Sequence, residues 1–308
     1  MIAVNLKTEY LRNPVGIDIP NPRLFWNCQG GVTQTAYRIL CRDEAGELLW
    51  DSGRRDGSTM CVPYAGKPLT SRSRVLWQVM LWDEADEAGD WSEEAYFELG
   101  LLSARDWKAT WITGNYKVNK KRRYPVDCFR KVFSTGNAKK ARLYITACGE
   151  YAAKLDGQKI GTFVLAPGYT DYRKRVQYQT YDLSVSPGAH TLTVQLSDGW
   201  YRGSCGAWGL KNQYGTQTKL LAQLELTMAD GSVQTIATDG SWDWSNDGPI
   251  RFADNQDGEI VDGAKLPGYS GKAKETRHGD VCLPQAQRNP LQRQCVPFDG
   301  RSSEGMGL

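Results

Sequence analysis

Histidine is nearly absent from these 308 residues: the chain has two, His190 and His278. His190 sits in a strand-like pattern and His278 in a polar stretch, and no serine occupies a Gly-x-Ser-x-Gly elbow. A serine–histidine hydrolase therefore has little to draw on. The eight cysteines include no Cys-x-x-Cys pair and no short Cys/His cluster, which excludes a zinc-ribbon or zinc-finger reading. Cys41 follows the alternation Tyr37-Arg38-Ile39-Leu40, and buried, reduced thiols of a cytoplasmic protein are expected rather than a disulfide framework. Charge of one sign is scarce too. The formal net charge is +3, and the run Lys117, Lys120, Lys121, Arg122 and Arg123 has no interleaved aromatics, so it reads as a solvated loop and no nucleic-acid partner is expected. A continuous apolar stretch of about 18 residues, enough to span a membrane, is missing. Lys7, Glu9 and Arg12 interrupt the start where an export signal would be apolar, so a cytoplasmic location is expected. Helical periodicity of ordinary length and fixed-period repeats are also missing.

What is present points to strands. The 32 glycines, 11 tryptophans and 15 tyrosines are the profile of short strands joined by tight turns. Residues 35–41 and 47–51 alternate apolar and polar, and residues 75–82 form a long apolar strand with Trp77 and Trp82 on opposite faces. An acidic hairpin loop at 83–90 leads to a returning strand at 91–99. Six or seven such segments in about 100 residues predict a small sandwich. A second series follows at 128–133, 141–146, 151–155, 176–183, 190–196, 220–228 and 233–238. Asp156-Gly157 and Asp230-Gly231 mark hairpin turns. The fold class expected is all-β: one sandwich over residues 1–103, a jelly-roll sandwich over 104–275, and an irregular tail over 276–308.

Three groups of residues invite chemistry. Asp254, Asp257, Glu259 and Asp262 crowd into nine residues. Oxygen-rich loops can hold calcium, but the spacing lacks the glycine of a calcium loop. Two carboxyls could also serve glycoside hydrolysis, and the third reading is an acidic loop that bonds its own turns and pairs with Arg251. Gly199, Gly203, Gly206 and Gly209 lack the Lys-Ser/Thr of a phosphate loop and no helix follows them, so they predict a loop that folds tightly between strands. The stronger signal is aromatic: Tyr169-Thr170-Asp171-Tyr172-Arg173, Trp200-Tyr201-Arg202, and Trp208 with Asn212 all fall in loops. Sugars stack their C–H faces on such rings and pair their hydroxyls with such polar groups. Two readings stand for these rings, sugar binding and closure of the sandwich end.

The same residues carry a family resemblance. Asn13-Pro14-Val15-Gly16-Ile17-Asp18, Pro22-Arg23-Leu24-Phe25-Trp26 and Leu49-Trp50-Asp51-Ser52-Gly53 resemble the opening of bacterial α-L-rhamnosidases of the glycoside hydrolase family 78 type. Asp106-Trp107-Lys108-Ala109-Thr110-Trp111-Ile112 is similar to that family's interdomain join, and Ala166-Pro167-Gly168-Tyr169-Thr170-Asp171-Tyr172-Arg173-Lys174-Arg175 to its most distinctive stretch. Gly199-Trp200-Tyr201-Arg202-Gly203, Tyr214-Gly215 and Asp257-Gly258-Glu259 continue in order, so the resemblance covers roughly residues 10–270.

The resemblance implies a fibronectin-type-III-like domain, then a galactose-binding-like jelly roll, and in the family an (α/α)6 barrel that carries the catalytic glutamates. No residue here inherits a catalytic role. The function implied is the non-catalytic N-terminal part of an α-L-rhamnosidase, supporting a barrel in cis, with a stand-alone L-rhamnose-binding module as the alternative. Rhamnose-containing glycans are the partners implied. Asp171, Tyr172, Trp200, Tyr201 and Asn212 are the candidate carbohydrate-binding residues, and no metal ligand is assigned. Some relatives bind L-rhamnose with calcium, but Leu165-Ala166-Pro167-Gly168 has no Asp or Asn beside it, so no cofactor is expected and calcium is the one candidate.

Overall fold

The computed structural model describes residues 1–206, 208–266 and 268–277 and the short strand Gln285–Ala286. Among these residues strands dominate, and the one α-helix is four residues long. The sequence expectation of an all-β chain is met. Among the described residues the chain divides into two compact units, the first Met1–Gly100 and the second within Leu101–Gln287.

In the first unit, β1 (Ile2–Thr8), β3 (Arg23–Gln29) and β7 (Cys61–Pro63) make a three-stranded antiparallel sheet. The second sheet runs β2 (Val15–Ile17), β9 (Ala95–Leu99), β8 (Arg74–Trp82), β4 (Ala36–Arg42) and β5 (Leu48–Asp51), with β6 (Arg55–Asp56) added to β4. The period of two decides which face of each strand is buried. Along β8, Val75, Trp77, Val79 and Leu81 are buried while their neighbours are half-exposed. Trp77 therefore faces the core and Trp82 the opposite side, as the alternation predicts. The strands β1, β2, β3 and β7 had no signal strong enough to be placed from sequence. Short, bulged strands such as β1, whose register shifts between Val4 and Lys7, break the alternation.

The second unit is built from two larger sheets. One runs β23 (Lys274–Glu275), β10 (Ile112–Thr113), β17 (Lys219–Met228), β12 (Ala138–Cys148), β15 (Gln177–Leu183) and β24 (Gln285–Ala286), with β18 (Val233–Ala237) on β17. The other runs β14 (Gln158–Lys159), β13 (Glu150–Leu155), β16 (Gly188–Ser197), β11 (Asp127–Thr135), β19 (Asp243–Ser245) and β22 (Gly271–Lys272). Their inner faces bury Phe129, Leu143, Ile145, Leu192, Val194, Leu196, Leu220, Leu224 and Trp242 in one core. A hairpin of β20 (Ile250–Asp254) and β21 (Gly258–Val261) stands apart as a two-stranded ribbon. The Asp156-Gly157 turn joining β13 to β14 has φ of 49° and 83°, the doubly left-handed backbone that a two-residue hairpin requires. Between β16 and β17 lies α1 (Gly199–Arg202), one helical turn at the head of the glycine-dense loop, and a strand rather than a helix follows that loop. The irregular tail expected over 276–308 lies almost wholly outside the described residues.

Candidate functional site

Loops 161–176 and 199–216 of the second unit meet, and α1 divides their side chains between two sites. On one side lies an aromatic cluster. Tyr172 and Tyr201 pack edge-on with ring centroids 5.4 Å apart, against Cys148 and Val176. They are 1% and 3% exposed. Two of the expected sugar-binding rings are therefore interior: the core takes them because Gly215 leaves room for Tyr201, where a Cβ would overlap the ring. The accessible rings are others. Tyr169 is 51% exposed, and its hydroxyl bonds that of Tyr214 at 3.1 Å. Trp200, half-buried, sits with its ring 5.6 Å from that of Tyr169. Asp171 joins this rim indirectly: it pairs with Arg173 at 3.0 Å, and Arg173 covers the Tyr214 ring at 5.4 Å. That hydrogen bond from Arg173 holds the Asp171 carboxyl below its ordinary range. Trp208, on a hairpin closed by a Cys205–Leu210 bridge, is 88% exposed.

Asn212 lies on the other side of α1. Its backbone N–H donates to the Arg202 carbonyl at 2.9 Å, and it lines a cleft with Lys120, Arg122, Arg123, Arg202 and Lys211. The cleft is small, about 30 Å³. Its floor is a buried polar network. Arg202 donates to Asp198 at 2.8 Å and to the Tyr116 hydroxyl at 2.6 Å. Asp127, fully buried, accepts from Thr218 at 2.7 Å and from the Trp244 indole at 2.9 Å. Burial pushes the Asp127 and Asp198 carboxyls up, opposed in both by Arg202, with Thr218 and Trp244 also opposing it at Asp127. Burial works against the Arg202 charge as well, yet Asp198, Tyr116 and Asp127 together raise its pKa. Sequence reasoning missed this network. The one signal was an acid at the head of an apolar strand, Asp127 before Cys128-Phe129.

A third feature also escaped the sequence. An open cavity of about 190 Å³ is lined by Glu150, Glu259, Gln195 and Ser197 over Val126, Leu165 and Ile250. Glu150 accepts a hydrogen bond from Asn255, and burial nevertheless raises its pKa to about 7. Glu150 sits beside Gly149 and the edge of β13, where nothing in the local pattern marks an acid as buried.

The acidic loop largely bonds itself. Asp254 accepts from the backbone N–H groups of Ser204, Gln256 and Asp257 at 2.7, 2.8 and 2.9 Å. Asp257 pairs with Arg123 and Lys211, while Arg251 goes instead to Asp247. The expected Arg251 partnership is thus replaced, because Asp247 lies four residues away near the start of the same hairpin. Among the described residues no three His, Cys, Asp or Glu side chains converge to hold a metal ion. Cations crowd the Asn212 cleft, so these donors do not suit calcium. Of the described cysteines none forms a disulfide, and Cys41, Cys128 and Cys148 are buried, whereas Cys61 is exposed.

The likeness to known proteins spans both units. The family described as alpha-L-rhamnosidase N-terminal domain matches residues 136–294. Residues 3–103 match a Rha78A-like N-terminal immunoglobulin domain, a sandwich of the same architecture as the fibronectin-type-III fold that the resemblance implied. An alpha-L-rhamnosidase of Formosa agariphila is 37% identical over 274 residues, covering 83% of this chain and 30% of that protein. One from Alteromonas sp. is 34% identical, covering 90% of this chain and 33% of that protein. The solved alpha-L-rhamnosidase of Dictyoglumus thermophilum superposes with a TM-score of 0.82 at 30% identity, over 94% of this chain and 36% of that one. The Aspergillus terreus enzyme gives 0.83 at 30% identity, over 91% and 34%. The chain thus spans about a third of the length of these relatives.

Proposed function

Because the chain belongs to the α-L-rhamnosidase N-terminal domain family, we propose that it is the non-catalytic N-terminal part of an enzyme that hydrolyses terminal α-L-rhamnosides. The observation that carries this reading is the match of a strand-dominated chain to about one third of the Formosa agariphila and Alteromonas α-L-rhamnosidases. The helical barrel that the resemblance assigns to catalysis has no counterpart among the described residues, which hold one four-residue helix. The two units then support that barrel in cis. The match over 3–103 supports a first domain of 1–103; a second domain of 104–275 and a tail at 276–308 are proposed with it, although the second family match runs to residue 294. Thiols that form no disulfide among the described residues favour a reducing, cytoplasmic setting. The test is the coding sequence directly downstream: an open frame encoding a helical, glutamate-bearing barrel supports the reading, and an unrelated gene or a stop defeats it.

A second reading, a rhamnose-binding module, is favoured by the exposed Tyr169 ring and the half-buried Trp200 ring beside the Asp171–Arg173 pair. Rings of that kind suit the apolar face of a deoxy sugar. Titration calorimetry with L-rhamnose decides: heat at millimolar sugar, lost in Trp200→Ala, supports binding there, and no heat leaves only the supporting role.

A further inference from the structure

We propose that the cleft around Asn212 takes the anionic substituent of an acidic saccharide, a carboxylate or a sulfate ester. The proposal deepens the saccharide-binding reading of this unit and rests on it for the sugar half of the ligand. Five cations, Lys120, Arg122, Arg123, Arg202 and Lys211, line a cleft whose lining acids are Asp198 and Asp254. Asp257 adds a third acid by pairing with Arg123 and Lys211 at 3.0 and 2.6 Å. With Asp127 beneath Arg202 as a fourth acid, one positive charge stays uncompensated, and no ion pair involves Lys120 or Arg122 among the described residues.

The acids are engaged by their own partners. Asp198 is committed to Arg202, and Asp254 to three backbone N–H groups. Asp257 is drawn by two cations at once, which holds its carboxyl below the ordinary range, Lys211 first. The cations are held in place. Arg202 is nine-tenths or more buried and lies over the Tyr124 ring at 5.2 Å, while Arg123 lies over Phe252 at 4.4 Å. The loop bearing Lys120 and Arg122 is pinned by Asn119, whose N–H donates to the Tyr124 hydroxyl at 2.5 Å and whose side-chain oxygen accepts from Lys121 N–H at 3.0 Å. The rings that could offer an apolar platform, Tyr124 and Phe252, are already covered by guanidinium groups.

What the cleft offers is donors: the Arg122 fork, the Lys120 ammonium, the Asn212 amide and the Thr216 hydroxyl. Such donors match the planar or tetrahedral oxygens of a carboxylate or sulfate and repel a divalent cation. A volume of about 30 Å³ admits one such group while the sugar ring stays outside.

The experiment is calorimetry on the whole chain in low salt with four probes: D-glucuronate, a sulfated monosaccharide, inorganic sulfate and L-rhamnose. Binding of the glucuronate or of the sulfated sugar at millimolar concentration is expected, and which one binds names the source of the oxyanion. That binding should weaken roughly fivefold or more on raising salt to about 0.2 M. It should fall about tenfold in the double variant Lys120→Gln/Arg122→Gln, two exposed positions whose loss does not threaten the fold. Absence of binding by both acidic sugars overturns the proposal, as does unchanged binding in the variant. Inorganic sulfate binding as tightly as the sulfated sugar overturns the saccharide assignment. L-rhamnose binding with no acidic-sugar binding refutes this inference while leaving the module reading standing.

Discussion

Glu150→Gln should stabilise the chain above neutral pH and leave it nearly unchanged at pH 5. Glu150 is 9% exposed, and burial raises its pKa from 4.5 to about 7 despite the hydrogen bond from Asn255. A carboxyl whose folded pKa lies above its unfolded value keeps its proton longer in the folded state. Stability therefore falls as pH rises from 4.5 to about 7 and is flat beyond. The gap corresponds to about 3 kcal/mol if burial were complete. Glu150 faces an open cavity, so solvent screening reduces the effect to about 1–2 kcal/mol. Glutamine keeps the shape and the oxygen that accepts from Asn255 but carries no charge. His190, held up by its hydrogen bond to Asp156, also makes stability fall with rising pH, so the variant must be compared with the parent at each pH. Urea unfolding at pH 5 and pH 8 measures this. A variant stabilised at pH 8 alone bears out the reasoning; equal effects at both pH values, or a loss at pH 8, refute it.

Two further outcomes follow from packing. Gly215→Ala should cost about 1–3 kcal/mol, because the added methyl overlaps the Tyr201 ring and the core around Tyr172 must shift; thermal melting should show the loss, and an unchanged midpoint would mean the cluster is loose. Asp127→Ala strips Thr218 and the Trp244 indole of their acceptor and leaves buried Arg202 with one acid fewer, so a loss of about 3–5 kcal/mol is expected in the same assay.

The strands with clean alternation were legible before any coordinates. Residues 75–82 became β8, and the Asp156-Gly157 turn was legible because only a doubly left-handed hairpin suits that pair. The short edge strands were not, since β10 and β14 carry two residues each and no period can be read from two. For the site, composition identified the right loops but could not separate rings that pack inward from rings that face out. Tyr172 and Tyr201 look the same in sequence as Tyr169 and Trp200, and only Gly215 and the cluster around Cys148 distinguish them. The lysine and arginine run reads as a solvated loop because the acids that balance it, Asp198, Asp254 and Asp257, lie at least 75 residues further along the chain. Glu150 and Glu259 are brought to one cavity by the β20–β21 ribbon, whose placement no local pattern encodes.

That last pair makes hydrolysis the decisive measurement. Two glutamates line a cavity of about 190 Å³, and one of them has a pKa of about 7, within the range of a general acid. Release of p-nitrophenol from p-nitrophenyl α-L-rhamnoside by this chain alone should be indistinguishable from the uncatalysed rate. Turnover that disappears in Glu150→Gln or Glu259→Gln would contradict the account and make the cavity, not a helical barrel, the place where the bond is cut.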